Sequence, residues 1–394
     1  MIYLDNHATT PVHPEVLEAM MPFLKENFHN PSSGYRAGKA VRQAIGEARE
    51  QVAELIGAKA GEICFTACGT ESNNMVLKSL ARLVGRKKSR VVTSEIEHSA
   101  VLRPIDAMAA VGFDTVRVGV DASGLLDLAT FRAATKGAEG NGFASIMWAN
   151  NETGVIQPIS EACAIAKEAG LAFHTDAIQA IGKIPVNVRE VPVDFLSISG
   201  HKFHAPKGVG ALYLREGMRF EPLTRGGGQE DERRSGTENV PYIVGLGKAA
   251  EIAKKALASG KMEAVRRLRD DLESRLVSEI DGAIANAQNA PRVPTCAHVS
   301  FENCEGAGLL ILLDEAGVQI STGSACMTGK QQPSHVQKAM GFSDARAKSS
   351  LRISLSAFTT EAEIAQASEA IKKAVAKLRS IQGGSGVGPV VVYS

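Results

Sequence analysis

The sequence predicts an α/β fold, with a large domain on a mostly parallel sheet and a smaller α+β domain. Three observations carry that prediction. Short apolar runs bounded by turn residues, "EICFT", "RVVTS", "FASIMWA", "LAFHT", "VDFLSIS" and "VGALYL", read as buried strands. Stretches with helical spacing, over 71–84, 98–110 and 159–169, separate several of them, and such alternation favours a parallel sheet covered on both faces. The chain has 394 residues, long for one hydrophobic core, which points to two domains.

The first clear helix precedes these strands. Apolar residues at 37, 40, 41, 44, 45, 48, 52 and 55 predict a helix over 36–56, with Gly57 as its stop. From Pro241 to about Ile280 the pattern is helical, with a break at Gly260, and reads as a connector into the second domain. That domain is expected to hold strands near 295–301, 318–321 and 350–355 and helices over 305–316 and 361–380. The end of the chain, "GGSGVGPVVVYS", reads as a loose tail.

Composition narrows the function classes. Hydrophobic residues make up 44% and charged residues 22%, the balance of an ordinary globular protein. A net charge of +1 and 5% aromatic residues give no electrostatic or stacking basis for binding nucleic acid, and none for a membrane surface. The most apolar segment, "GLLILL", is too short to span a bilayer. Six cysteines scattered through a chain without a secretory pattern suggest reduced thiols, hence a soluble cytoplasmic protein. Cys64 and Cys68 lack the second pair that a zinc site needs, so no metal is expected.

Several stretches carry residues suited to chemistry. "CGTESNN" (68–74) follows a strand and opens a helix, so it is either an anion site at exposed amides or a cap made by Thr70. "HTDAIQ" (174–179) puts Asp176 and Gln179 beyond a strand end, where α/β sheets bind ligands, although Asp176 also suits a helix cap. In "SISGHKFHAPKGVG" a strand ends at Ser199, followed by His201 and Lys202. A lysine there is a solvated charge or, if desolvated, an amine able to form a Schiff base. Arg352, on a short strand, is a carboxylate partner or one half of a surface ion pair. Cys326 lies in "STGSACMTGK", among small and polar residues that predict a mobile loop, unusual for so often buried a residue type.

Taken in order, the motifs "YLDNHATTP", "NPSSGYRAG", "FTACGTESNN", "EHSAV", "NNETGVIQPI", "HTDAIQAIGK", "SGHKFHAPKGVG", "RSGTEN", "STGSAC", "PSHV" and "LRISLSAFTTEAE" resemble the cysteine desulfurases of the NifS/IscS type. The resemblance runs from about residue 2 to 380. It implies an aspartate-aminotransferase-like large domain with a mostly parallel seven-stranded sheet over 13–258. The small domain would comprise 1–12 and 259–380 and carry the catalytic cysteine loop, leaving 381–394 as the tail. It also implies pyridoxal 5'-phosphate as cofactor, L-cysteine as substrate, a homodimer, and a sulfur acceptor such as an iron–sulfur scaffold. Lys202 would carry the cofactor, His98 would stack on its ring, Asp176 would face the pyridine nitrogen and Gln179 the phenolic oxygen. Gly69, Thr70, Ser199 and His201 would hold the phosphate, and Thr237 would reach the phosphate in the partner subunit. Asn151 and Arg352 would bind the substrate carboxylate. Cys326 would be the nucleophile. His7, Cys68, Ala357 and "MTGKQQ" depart from the more usual residues at their positions.

The implied reaction converts L-cysteine to L-alanine and leaves the sulfur on an enzyme cysteine as a persulfide. Only a thiolate attacks sulfur, and its product must then leave the pocket to meet an acceptor. A loop rich in glycine and serine allows both positions. The alternatives are selenocysteine lysis, another pyridoxal-phosphate reaction, or a catalytically silent partner in sulfur trafficking.

Overall fold

The computed structural model describes residues 1–85, 89–138, 140–322 and 332–383. The chain begins with β1 (Ile2–Tyr3), α1 (Pro14–Lys25) and α2 (Arg36–Leu55), the last where apolar periodicity predicts it. The alternating region follows as β2 (Ile63–Thr66), α3 (Gly69–Val84), β3 (Arg90–Ser94), α4 (Ser99–Ala110), β4 (Asp114–Val118) and α5 (Leu128–Thr135). It continues with β5 (Gly142–Ser145), α6 (Ile159–Glu168), β6 (Ala172–Asp176), β7 (Phe195–Ser199) and β8 (Gly210–Leu214). These strands form one seven-stranded sheet in the order β2-β8-β7-β6-β5-β3-β4. β8 runs antiparallel to both its neighbours, and the remaining pairs are parallel.

The central strands are buried along their length because helices cover both faces. Phe143 and Phe195 join one apolar cluster and Phe173, on the strand between them, joins another, all fully buried. Each such side chain contributes about 2–3 kcal/mol of transfer free energy. β4 has no counterpart among the predicted strands. Its sequence, "DTVRV", is polar at an edge of the sheet, where only one side is paired.

α7 (Val240–Ala258) packs on α1 and α2, and α8 (Lys261–Glu279) follows it. The break between them falls at Gly260, with φ 74°, a left-handed conformation that glycine adopts without steric cost. Beyond lie β9 (Ala283–Ala285), β10 (Cys296–Phe301), α9 (Gly306–Glu315), β11 (Val318–Gln319), α10 (His335–Ala339), α11 (Asp344–Lys348), β12 (Ser350–Ser354) and α12 (Glu361–Gly383). β9, β10 and β12 form an antiparallel sheet, and β1 pairs with β11. An apolar cluster of its own, including Leu272, Val299, Phe301, Leu351 and Ile371, lies among these elements.

The N-terminal segment connects the two regions. Ser354 N, at the end of β12 in the small sheet, donates to Leu4 O at 2.7 Å, while Thr10 N donates to His201 O at 2.9 Å, just past the end of β7. Residues 5–9 are thereby drawn across the ends of β6 and β7. Among the described residues no helix is long and apolar enough to cross a membrane.

Candidate active site

Asp176 ends β6, and Lys202 stands three residues past the end of the adjacent parallel strand β7. In a parallel sheet these carboxyl ends open onto a crevice where ligands bind. Asp176 is 3% exposed, and its Oδ2 accepts from Asn73 Nδ2 at 2.7 Å while Oδ1 accepts from Ile178 N at 3.0 Å. Burial raises the carboxyl's pKa, and the His98 ring, these two donors and Lys202 oppose that rise.

Lys202 Nζ donates to the backbone oxygens of His7 at 2.6 Å and Ala8 at 2.7 Å. Burial, reinforced by the charge of Arg352, lowers its pKa to about 8. An amine near that value is neutral often enough to attack an aldehyde. His201 lies beside it, with Nδ1 3.1 Å from Thr9 Oγ1, and burial lowers its pKa to about 4. Ser199 is buried at the end of β7.

Gly69 and Thr70 open α3, where the first amides have no partner within the helix. A Cβ on Gly69 would lie 2.1 Å from Ile178 Cδ1 and 3.1 Å from Ser199 Cβ, so a larger residue here would force the Ile178 side chain to move. Thr70 is exposed and lies inside the first turn. The cap is Cys68, whose Sγ accepts from Glu71 N at 3.4 Å, which corrects the expectation of a Thr70 cap.

His98 caps α4, with Nδ1 accepting from Ala100 N at 3.1 Å. That bond leaves the ring proton on Nε2. The ring is open to solvent on one side, yet enough protein surrounds it that desolvation lowers its pKa. Gln179 is buried and bridges two groups: Nε2 donates to His7 O at 3.0 Å, and Oε1 accepts from Lys183 Nζ at 2.9 Å.

Arg352 sits on β12, 5% exposed. Its Nη1 donates to Asn151 O at 3.0 Å and its Nη2 pairs with Asp5 Oδ1 at 2.7 Å, while Nε has no partner. Asn151 Oδ1 is likewise buried and unpaired. The ion pair is thus a buried one and not the surface pair that is the alternative expectation for this arginine, and it leaves a donor unused. Thr237 is exposed and lines a separate surface cavity of about 370 Å³ with Phe28 and Pro31. Cys326 lies outside the described residues.

Several residues at the site carry no role in the sequence reading. Asn73 is the second polar residue of "SNN", one helical turn from Gly69. Asp5 and Lys183 stand within recognisable motifs, yet nothing in the sequence says what they face. Glu97 is fully buried next to His98, with Oε1 accepting from Ser94 Oγ and Met147 N and Oε2 unpaired. Burial lifts its carboxyl to about 8.

These residues fit pyridoxal phosphate. A buried carboxyl needs a cationic partner, which the protonated ring nitrogen supplies. A lysine with its pKa lowered to about 8 suits the aldehyde, and a helix start with a hydroxyl and two nearby polar side chains suits the phosphate. A sheet of this order with such a lysine and aspartate beyond adjacent strands defines a pyridoxal-phosphate enzyme of the aminotransferase type. A family model for class-V aminotransferases matches residues 2–366. The chain is 44% identical to the cysteine desulfurase NifS of Azotobacter vinelandii, over 99% of this chain and 96% of that one. It is also 44% identical to the cysteine desulfurase IscS of Dictyoglomus turgidum, over 96% of each. A solved NifS-like protein superimposes with a TM-score of 0.88 at 38% identity, covering 96% of this chain and all of the other. The chain belongs to the class-V aminotransferase family, among the cysteine desulfurases, which depend on pyridoxal phosphate.

Proposed function

We infer that the chain is a cysteine desulfurase, converting L-cysteine to L-alanine and passing the sulfur to Cys326 as a persulfide. The observation that carries the reading is the convergence of Lys202, held near neutrality, with the buried Asp176 beyond adjacent strand ends. Pyridoxal phosphate, when bound, supplies an electron sink for the substrate's α-carbon.

The chain's own residues do the rest. Asp176 keeps a positive ring nitrogen, and Asn73 and the Ile178 amide hold that carboxylate in place. Gln179 donates toward the ring oxygen and His98 stacks. Gly69, Thr70, Ser199 and His201 hold the phosphate, with Thr237 reaching the phosphate of a partner subunit. Arg352, with its free Nε, and Asn151 take the substrate carboxylate. Lys202 Nζ, once released, moves a proton at the α-carbon. Cys326 attacks the substrate sulfur as a thiolate and carries it away.

The homodimer draws support from exposed apolar side chains at the Thr237 cavity: Phe28, which lines it, is 75% exposed, and Tyr35, edge-on to the lining His29, is 55% exposed. The large domain spans 13–258, with 1–12 and 259–380 forming the small one. The setting is the cytoplasm, and the acceptor is a protein such as an iron–sulfur scaffold.

The test is to incubate purified protein with L-cysteine, and with selenocysteine in parallel, and measure alanine and sulfide. Cys326→Ser should keep the yellow cofactor and lose sulfide release by about a thousandfold. Undiminished sulfide from that variant overturns the assignment of the nucleophile. A faster reaction with selenocysteine that needs no Cys326 favours the lyase instead.

A further inference from the structure

We propose that Lys183 is a positioning residue that locks the amide of Gln179 with its NH2 group facing the Lys202 site. The proposal deepens the reading of Gln179 as the donor to the cofactor's ring oxygen and rests on it.

Lys183 is only 5% exposed and meets no carboxylate among the described residues. Its Nζ donates to Gln179 Oε1 at 2.9 Å. The charged and titratable groups that face it among the described residues are Lys202, Arg352, Cys296 and the rings of His7, His201 and His204, none of them an anion in the ordinary pH range. A buried lysine is costly, and here one neutral amide oxygen receives it.

That contact has a directional consequence. A side-chain amide offers an acceptor at one end and a donor at the other, and the two ends have almost the same shape. An ammonium has three donors and no acceptor, so only Oε1 can face it. Nε2 must then point the opposite way, where it donates to His7 O at 3.0 Å, the same carbonyl that receives Lys202 Nζ at 2.6 Å. Turning the amide over would set its NH2 against the ammonium and its oxygen against the carbonyl of His7. A neutral Lys183 amine could also accept, and in that state the His7 carbonyl, which needs a donor, is what still favours this orientation.

The cofactor-loaded enzyme reports this directly. A donor on the ring oxygen stabilises its ionised form and lowers the pH at which the visible chromophore changes colour. Lys183→Met should raise that midpoint by about 0.5–1 pH unit. Gln179→Ala should raise it similarly, and Lys183→Met added to Gln179→Ala should change it no further. Should Lys183→Met not accumulate folded, Lys183→Gln serves instead. Its amide accepts as well as donates, so the orientation is no longer enforced and the midpoint should move the same way.

An unmoved midpoint in a folded Lys183 variant, with Gln179→Ala shifted, overturns the positioning role and leaves the Gln179 reading intact. An unmoved midpoint in Gln179→Ala overturns the reading beneath it. Additive shifts in the double variant also overturn the proposal, because Lys183 would then act other than through Gln179.

Discussion

Arg352 and Ser321 are bonded to each other in both directions: Arg352 N donates to Ser321 O at 2.6 Å and Ser321 N to Arg352 O at 3.1 Å. The arginine proposed to take the substrate carboxylate thus shares a backbone bridge with a residue only five positions before Cys326 in sequence. On the proposed roles of Arg352 and Cys326, this bridge would tie substrate binding to the placing of the thiol. Ser321→Pro removes the donor and half of that bridge. The variant should bind pyridoxal phosphate normally but form persulfide at least about tenfold more slowly, measured by trapping with a thiol-selective alkylating agent. A normal rate would mean the bridge has no part in placing Cys326.

The Lys202 amine sets a pH dependence. Held at about 8 rather than 10.5, it is mostly neutral above pH 8. Capture of pyridoxal phosphate by the cofactor-free protein should accelerate as pH rises and level off above about 8. Stopped-flow absorbance reads the rate, and a rise continuing past pH 10 would contradict the lowered value. Lys202→Ala should show no covalent visible chromophore at any pH, with desulfuration reduced by about a thousandfold or more.

Glu97 affects stability with the opposite sign from an ordinary surface carboxylate. Its folded pKa is raised to about 8 from an ordinary 4.5. Between those values the folded chain holds a proton that the unfolded chain releases. This group's contribution is therefore fully present below about 4.5 and lost as pH rises through 8. Glu97→Gln should remove that slope. Relative to the variant, the wild type should lose on the order of 3 kcal/mol between pH 5 and pH 8. Urea midpoints of the two proteins at pH 5 and pH 8 provide the comparison, and parallel curves would refute the assignment.

The loop before α7 holds three consecutive non-glycine residues with positive φ: Glu230 at 50°, Asp231 at 54° and Glu232 at 62°. Glu230 is recompensed, because its carboxylate pairs with Arg49 at 2.6 Å and accepts from Phe65 N at 2.8 Å. Glu232 is exposed and has no such tie among the described residues. Glu232→Gly should therefore stabilise the fold by about 1 kcal/mol, since glycine adopts this conformation without the Cβ clash. Thermal unfolding gives the answer, and a lower midpoint would show that Glu232 makes a compensating interaction.

Much of this protein was legible in one dimension. Apolar runs and helical periodicity are local properties, so they placed α2, the break at Gly260 and the strands that end in Asp176 and Ser199. The order of motifs likewise identified the family and marked Lys202, Asp176 and Arg352 individually. β4 was missed because an edge strand need not be apolar. The cap at Cys68 was misread because Thr70 is the better cap by residue type, while backbone geometry chose the residue two earlier.

By itself, the sequence determined the alternation of elements and the family, and marked the candidate reactive residues, because these are written in neighbouring positions. Only the tertiary structure decided what those residues face. Asp5 reaches Arg352 across some 350 residues, and the carbonyl of His7 gathers Gln179 and Lys202. No periodicity encodes such contacts. They exist because the N-terminal segment pairs with the small sheet at one end and with His201 at the other, which draws its carbonyls over the strand ends. The lowered pKa of Lys202 follows from that burial and from the nearby charge of Arg352, and neither is a property of the lysine alone.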